Sequence, residues 1–295
     1  MGYSARYHAA SLVAVFLALA VGILIGAGLG DNLVSDTEAN LRESLEGDIE
    51  EARGEADDLQ AELDRERAFS SRAYPALVGD RLVGERFALM AFGDLPADLS
   101  ADIEAALEPT GADLVEVAVV RRPPDVAALG SELSSKRAEA IEDDPAALED
   151  LGETLGEQFA LGEGNLLTRI RDNLFSRSSG EGGELDGVIL TREPAGDLEG
   201  DAAEQTAALE TGLTRGVAES GVVTVGVERS SRTDDSSIPF FAPFGISTVD
   251  SVDLVSGRVA LVFALLGAEG NFGIKDSANS LLPELLSPSR GSGGS

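Results

Sequence analysis

The chain has no cysteine and no tryptophan, and only one histidine and two methionines among its 295 residues. Without cysteine, disulfides, thiolate metal sites and thiol nucleophiles are all excluded, and redox chemistry says nothing about compartment. The single histidine is His8, so the rest of the chain cannot assemble a Ser-His-Asp arrangement. Positive charge is scarce as well: 22 Lys and Arg stand against 53 Asp and Glu, a net charge of −31. Arg6 is the only charged side chain before Asp31, so residues 31–295 carry 53 acids and 21 bases, a net of −32. Such a body repels nucleic acid and anionic lipid surfaces, and it concentrates cations at a solvated acidic surface.

From Ala9 to Leu29 charge is missing altogether: AASLVAVFLALAVGILIGAGL is 21 residues of apolar and small side chains. At about 1.5 Å per residue this run matches the ~30 Å hydrocarbon core of a bilayer and predicts a transmembrane helix. Arg6 and the α-amino group precede it, while Asp31, Asp36 and Glu38 follow. The positive-inside rule then places the N-terminus in the cytoplasm and the body outside. Arg6 occupies the position where a myristoylation signal needs Ser or Thr. Ala18-Leu19-Ala20 offers a signal-peptide cleavage pattern, but cleavage there would leave Val21 to Leu29 as an apolar end, so an uncleaved anchor is expected. Ala10, Ala14, Ala18, Gly22, Gly26 and Gly30 recur every four residues and form a ridge of small side chains. In lipid, where packing rather than hydrophobicity joins helices, such a ridge predicts self-association.

From about Asp36 to Phe69 the sequence is a charged helix. Leu45, Ile49, Ala52, Ala56, Leu59 and Leu63 fall at spacings of 4, 3, 4, 3 and 4, the seam of a heptad, and predict a short coiled-coil stalk. Gly47 and Gly54 weaken that helix by up to ~1 kcal/mol each relative to Ala. The expected organisation is a head and anchor over 1–30, a stalk over 31–72, a body over 73–286 and a disordered tail over 287–295.

A turn is expected near Tyr74-Pro75, and beyond it strands and helices alternate. Phe87 to Phe92, Leu114 to Val120, Val188 to Thr191, Val222 to Val227 and Thr248 to Val252 read as strands. Leu99 to Leu107, an irregular stretch from Val126 to Phe159 restarted by Pro145, Leu166 to Phe175 and Ala202 to Glu219 read as helices. Val259 to Leu266 fits either a buried helix or a strand. The alternation predicts a three-layer α/β domain with a mainly parallel sheet. Ser176 to Gly187, SRSSGEGGELDG, reads as a flexible loop, and it lacks the GxxxxGK[ST] and GxGxxG patterns that hold nucleotide phosphates.

Asp250, Asp253, Arg258, Lys275 and Asp276 are the candidate polar cluster, expected at the end of the sheet where α/β domains place ligands. The competing account makes these residues caps and surface ion pairs. No paired-carboxylate catalytic motif stands out, so neither enzyme activity nor a cofactor is expected.

Three stretches resemble a known family. RYHAASLVAVFLALAVGILIG, through Arg6, His8, Ser11, Leu12, Ala14 to Ala20, Gly22 and Gly26, is similar to the opening of an actinobacterial family of copper-transport proteins described as channel-forming in the outer membrane. ISTVDSVD over Ile246 to Asp253, with Gly257-Arg258 and the apolar run after it, and NFGIKDSANSLLPE over Asn271 to Glu284 resemble the same family. The resemblance implies copper transport or homeostasis in the cell envelope, with an oligomeric channel and copper or other cations in transit. The residues add a limit: copper(I) prefers thiolate, thioether and imidazole, and this chain offers only Met1, Met90 and His8. The alternative is a scaffold that transports nothing and presents the α/β domain on its stalk. In either case the expected partners are the membrane and further copies of the chain.

Overall fold

In the computed structural model the apolar opening stretch and the charged stalk are turns of one helix, α1, Ala5–Val78. Backbone is described for residues 5–180, 182–194, 196, 198–232 and 234–284, and side chains for the same residues except 5–6 and 28–40. The surroundings of Gly30, the last member of the expected ridge, and the tail expected at 287–295 lie outside this set. The chain divides into two compact units after Phe69.

Unit one, Met1–Phe69, consists of the greater part of α1. Tyr7–Ala27 is a 21-residue apolar stretch with no residue buried by the rest of the protein, long enough to cross a membrane. Ala10, Ala14, Ala18, Gly22 and Gly26 are exposed along it, and a Cβ on Gly22 or Gly26 would meet nothing within 4 Å.

Unit two begins at Ser70. The turn expected at Tyr74-Pro75 is absent; the helix passes through Pro75 and ends at Val78. A proline inside a helix removes one backbone hydrogen bond and crowds the preceding turn, at a cost of about 3 kcal/mol. Here burial offsets that cost, because Tyr74 and Val78 are both in the core and the Tyr74 hydroxyl donates to the Ala106 carbonyl at 2.7 Å.

Seven strands build one sheet. β1 is Arg86–Phe92, β2 Asp113–Val120, β3 Phe175–Gly180, β4 Gly187–Arg192, β5 Val223–Val227, β6 Ser247–Val249 and β7 Asn271–Phe272. They lie in the order β3-β2-β1-β4-β5-β6-β7, parallel throughout except for antiparallel β3 on β2. The first half of the expected flexible loop is thus the edge strand β3. Ser176–Gly180 are all exposed, so the strand carries no apolar alternation that would have marked it. β6 is also shorter than expected, ending at Val249.

Helices follow in chain order: α2 Ala97–Leu107, α3 Val126–Ser131, α4 Ser135–Asp143, α5 Pro145–Leu161, α6 Asn165–Leu174, α7 Gly200–Glu219, α8 Ile238–Phe241 and α9 Val255–Leu265. The last decides the helix-or-strand choice at Val259 to Leu266 for helix, which ends at Leu265. Strand alternation sends Ala88, Met90 and Phe92 of β1 to one face, where the helices α3 to α8 cover them. Phe87 and Leu89 go to the other face, under the end of α1, α2 and α9. Helices on both faces make three layers, and each fully buried Leu, Val or Phe contributes about 1.5–3 kcal/mol. Glycine sets the spacing of one helix pair: a Cβ on Gly156 of α5 would lie 2.2 Å from the Leu213 carbonyl oxygen, and one on Gly216 of α7 2.0 Å from that of Glu153.

Candidate functional site

In a parallel sheet every strand delivers its following loop to the same edge. Here that edge gathers the charged side chains just past β1, β2, β4, β5, β6 and β7. Glu228, the first residue after β5, is 2% exposed. Its carboxylate accepts from Lys275 Nζ at 2.6 Å, Ser236 Oγ at 2.7 Å and the Ser237 backbone N–H at 2.7 Å. Lys275 Nζ also donates to the Arg229 carbonyl at 2.9 Å.

Asp250, the first residue after β6, is buried and accepts the backbone N–H groups of Ile274 and Lys275 at 2.9 and 3.0 Å. Gly273 leaves room for that carboxylate: its φ is +142°, and a Cβ there would stand 1.8 Å from Asp250 Oδ1. Asp253 accepts from the Ser230 backbone N–H at 2.6 Å and the Ser230 hydroxyl at 2.5 Å. Partial burial works against the charged form of Asp253, but the two Ser230 hydrogen bonds prevail and hold its carboxyl below the usual carboxylate range. Arg258 on α9 turns to α2, donating to Asp102 Oδ1 at 2.8 Å. Arg229 bonds Asp98, and its Nε lies 2.9 Å from Asp102 Oδ2 without pointing a hydrogen along that line.

The five residues singled out in the sequence therefore enter different contacts. Asp250 and Lys275 meet through the Lys275 backbone. Asp253 holds the loop after β5, Arg258 reaches α2, and Asp276 is exposed and forms none of these ion pairs. Sequence reading missed Glu228, Ser230 and Asp102. It also missed a second network in which Glu210 of α7, 2% exposed, takes both Arg122 and Arg192. Arg232 pairs with Glu193 beside it. The available signal was positional: Arg121-Arg122, Arg192-Glu193 and Glu228-Arg229 each stand where an apolar strand ends.

Between the loops after β1, β2 and β4 lies an open crevice of about 640 Å³ lined by Gly93, Asp94, Arg121, Arg122 and Glu193. β1 has neighbours on both sides that are reached by different crossovers, so this is the switch point of the sheet. Its Arg122 guanidinium is committed to Glu210 and to the carbonyls of Glu193 and Pro194, at 2.8 and 2.9 Å for the latter two. The network fixes loops. Among the described residues no three His, Cys, Asp or Glu side chains converge as a metal site.

Residues 3–283 match the family described as copper transport outer membrane protein, MctB. The chain belongs to the MctB family. Proteins named copper transporter MctB from Mycobacterium bovis and from Mycobacterium tuberculosis strains CDC 1551 and H37Rv are each 34% identical to it over 96 residues. That alignment covers 32% of this chain and 30% of each relative, so it spans under a third of the length of the curated relatives. The family's description names transport and no reaction.

Proposed function

We propose that this protein serves copper transport or homeostasis in the cell envelope, held in a membrane by one N-terminal helix. The carrying observation is the MctB family match over residues 3–283 in a chain that exposes the 21-residue apolar helix Tyr7–Ala27. The N-terminus lies in the cytoplasm and the α/β body beyond the membrane. Copies join through the small-residue ridge and the stalk, and cations cross, if they cross at this protein, along a path made by several copies.

The body's own chemistry supports the shared path. Met90 is fully buried in the sheet and His8 sits at the start of the apolar stretch, so soft copper ligands are not gathered in the body. Apart from the exposed polar edge strand β3, the described strands are covered by helices on both faces and present no lipid-facing wall of the kind a membrane barrel needs. A second reading is favoured by the charge networks, whose side chains are spent on fixing loops: a scaffold that carries no cation and presents its α/β body to envelope partners.

Deletion of the gene separates the two. Copper accumulation and copper sensitivity should rise and return to normal with the full chain, but not with residues 70–295 alone. Unchanged copper handling in the deletion strain sinks the copper reading and leaves the scaffold.

A further inference from the structure

The stalk part of α1 leaves its apolar seam in solvent: Leu45 and Ile49 are each 50% exposed, Leu59 66% and Leu63 45%. With Ile49, Ala56 and Leu63 at a, the d positions are Leu45, Ala52 and Leu59. This phase also fixes the flanks of the seam. Asp48, Glu55 and Glu62 fall at g, and Glu46, Arg53, Gln60 and Arg67 fall at e. Gly47 and Gly54 both fall at f, the position farthest from the seam, and a Cβ on either would meet nothing. The two weakest helix formers thus stand clear of the surface a partner would use. Two of the three bases between residues 43 and 69 occupy e positions, and every g position from 48 to 62 is acidic.

We infer that the stalk forms a parallel, in-register, two-stranded coiled coil with a second copy of this chain, in which Asp48 meets the partner's Arg53 and Glu62 meets the partner's Arg67. In a parallel coil each g residue faces the e residue five positions later on the other strand. That rule pairs 48 with 53, 55 with 60 and 62 with 67: two opposite-charge pairs and one acid with an amide on each flank. An antiparallel pair would face g with g, which is acid against acid throughout. Slipping one strand by a heptad sets Asp48 against Glu46 on one flank. Ile49 at a, with Leu45 and Leu59 at d, follows the two-strand pattern at one layer of the seam, while Ala52, Ala56 and Leu63 leave the charged flanks to set direction and register. The inference rests on the self-association proposed above and adds its direction, register and charge code.

The native chain has no cysteine, so an introduced thiol is the only one present. Full-length protein in detergent, carrying Leu45→Cys or Leu63→Cys, should form a disulfide-linked dimer with itself under mild oxidation. Gly54→Cys, on the outer face, should not. Arg53→Glu with Arg67→Glu should lower the yield of Leu45→Cys dimer by about tenfold, since it leaves acids on both flanks. Mixing that chain with one carrying Asp48→Arg and Glu62→Arg should restore a mixed dimer. Linking of Leu45→Cys only to Leu63→Cys overturns the parallel arrangement. Equal linking at Gly54→Cys overturns the seam, and indifference to charge reversal overturns the code. Copper accumulation in the deletion strain is a separate reading: its failure to change leaves a dimer that still cross-links, and absent cross-linking leaves a copper phenotype intact.

Discussion

Asp250 and Gly273 act as one device, since a carboxylate that takes two consecutive backbone N–H groups can approach them only because residue 273 has no side chain. Gly273→Ala puts a Cβ 1.8 Å from Asp250 Oδ1 at a φ of +142°, and we expect it to destabilise the body by about 2–4 kcal/mol in thermal or urea unfolding. Asp250→Ala should cost about 1–3 kcal/mol by orphaning the Ile274 and Lys275 N–H groups. Because the clash involves the carboxylate, the double variant should cost less than the sum. Glu228→Gln should cost about 3–5 kcal/mol by stranding Lys275, and Glu228→Gln with Lys275→Met should recover part of that loss. For Asp253 the folded-state pKa lies below the unfolded one, so its stabilisation is present above the unfolded value of about 4 and is lost as pH falls through the folded value. Stability measured from pH 7 to pH 2 should therefore fall more steeply in the native chain than in Asp253→Asn. The nearness of Asp250 and Asp253 in sequence was legible. The partners of the candidate residues were not, because Ser230 for Asp253 and Glu228 for Lys275 come from the loop after β5 and Asp102 for Arg258 from α2, which only the folded sheet brings to the same end.

At the scale of elements, the parallel strands could be read because burial on both faces leaves continuous apolar runs such as FALMAF and GVILT. β3 could not, since an edge strand written SRSSG looks like a loop until β2 is beside it. The end of α1 was hidden for the opposite reason: Pro75 is a breaker by local rule, and the burial of Tyr74 and Val78 overrides it. Glycines on helices divide by what stands over them. Gly216→Ala would put a methyl 2.0 Å from the Glu153 carbonyl and force α5 and α7 apart, with an expected loss above about 2 kcal/mol in unfolding experiments. Gly54→Ala meets nothing and should raise helix content by circular dichroism, stabilising the stalk by up to ~1 kcal/mol.

Taken whole, the molecule joins segments of opposite solvent preference, a 21-residue stretch with no charge and a strongly acidic remainder that includes both the rest of unit one and all of unit two. Unit two has an apolar core on each face of its sheet, so residues 70–295 should fold by themselves and stay soluble without detergent, checked by cooperative unfolding of the truncated chain. The edges of that sheet differ from its middle. One ends in β3, polar and carrying Arg177, and the other in β7, two residues long. Neither offers a long apolar row of unpaired backbone groups, so a stray strand from a neighbouring chain finds no template on which to extend the sheet. This guards the body against edge-on aggregation, and it is why the self-association proposed above is assigned to the helix of unit one and not to the sheet.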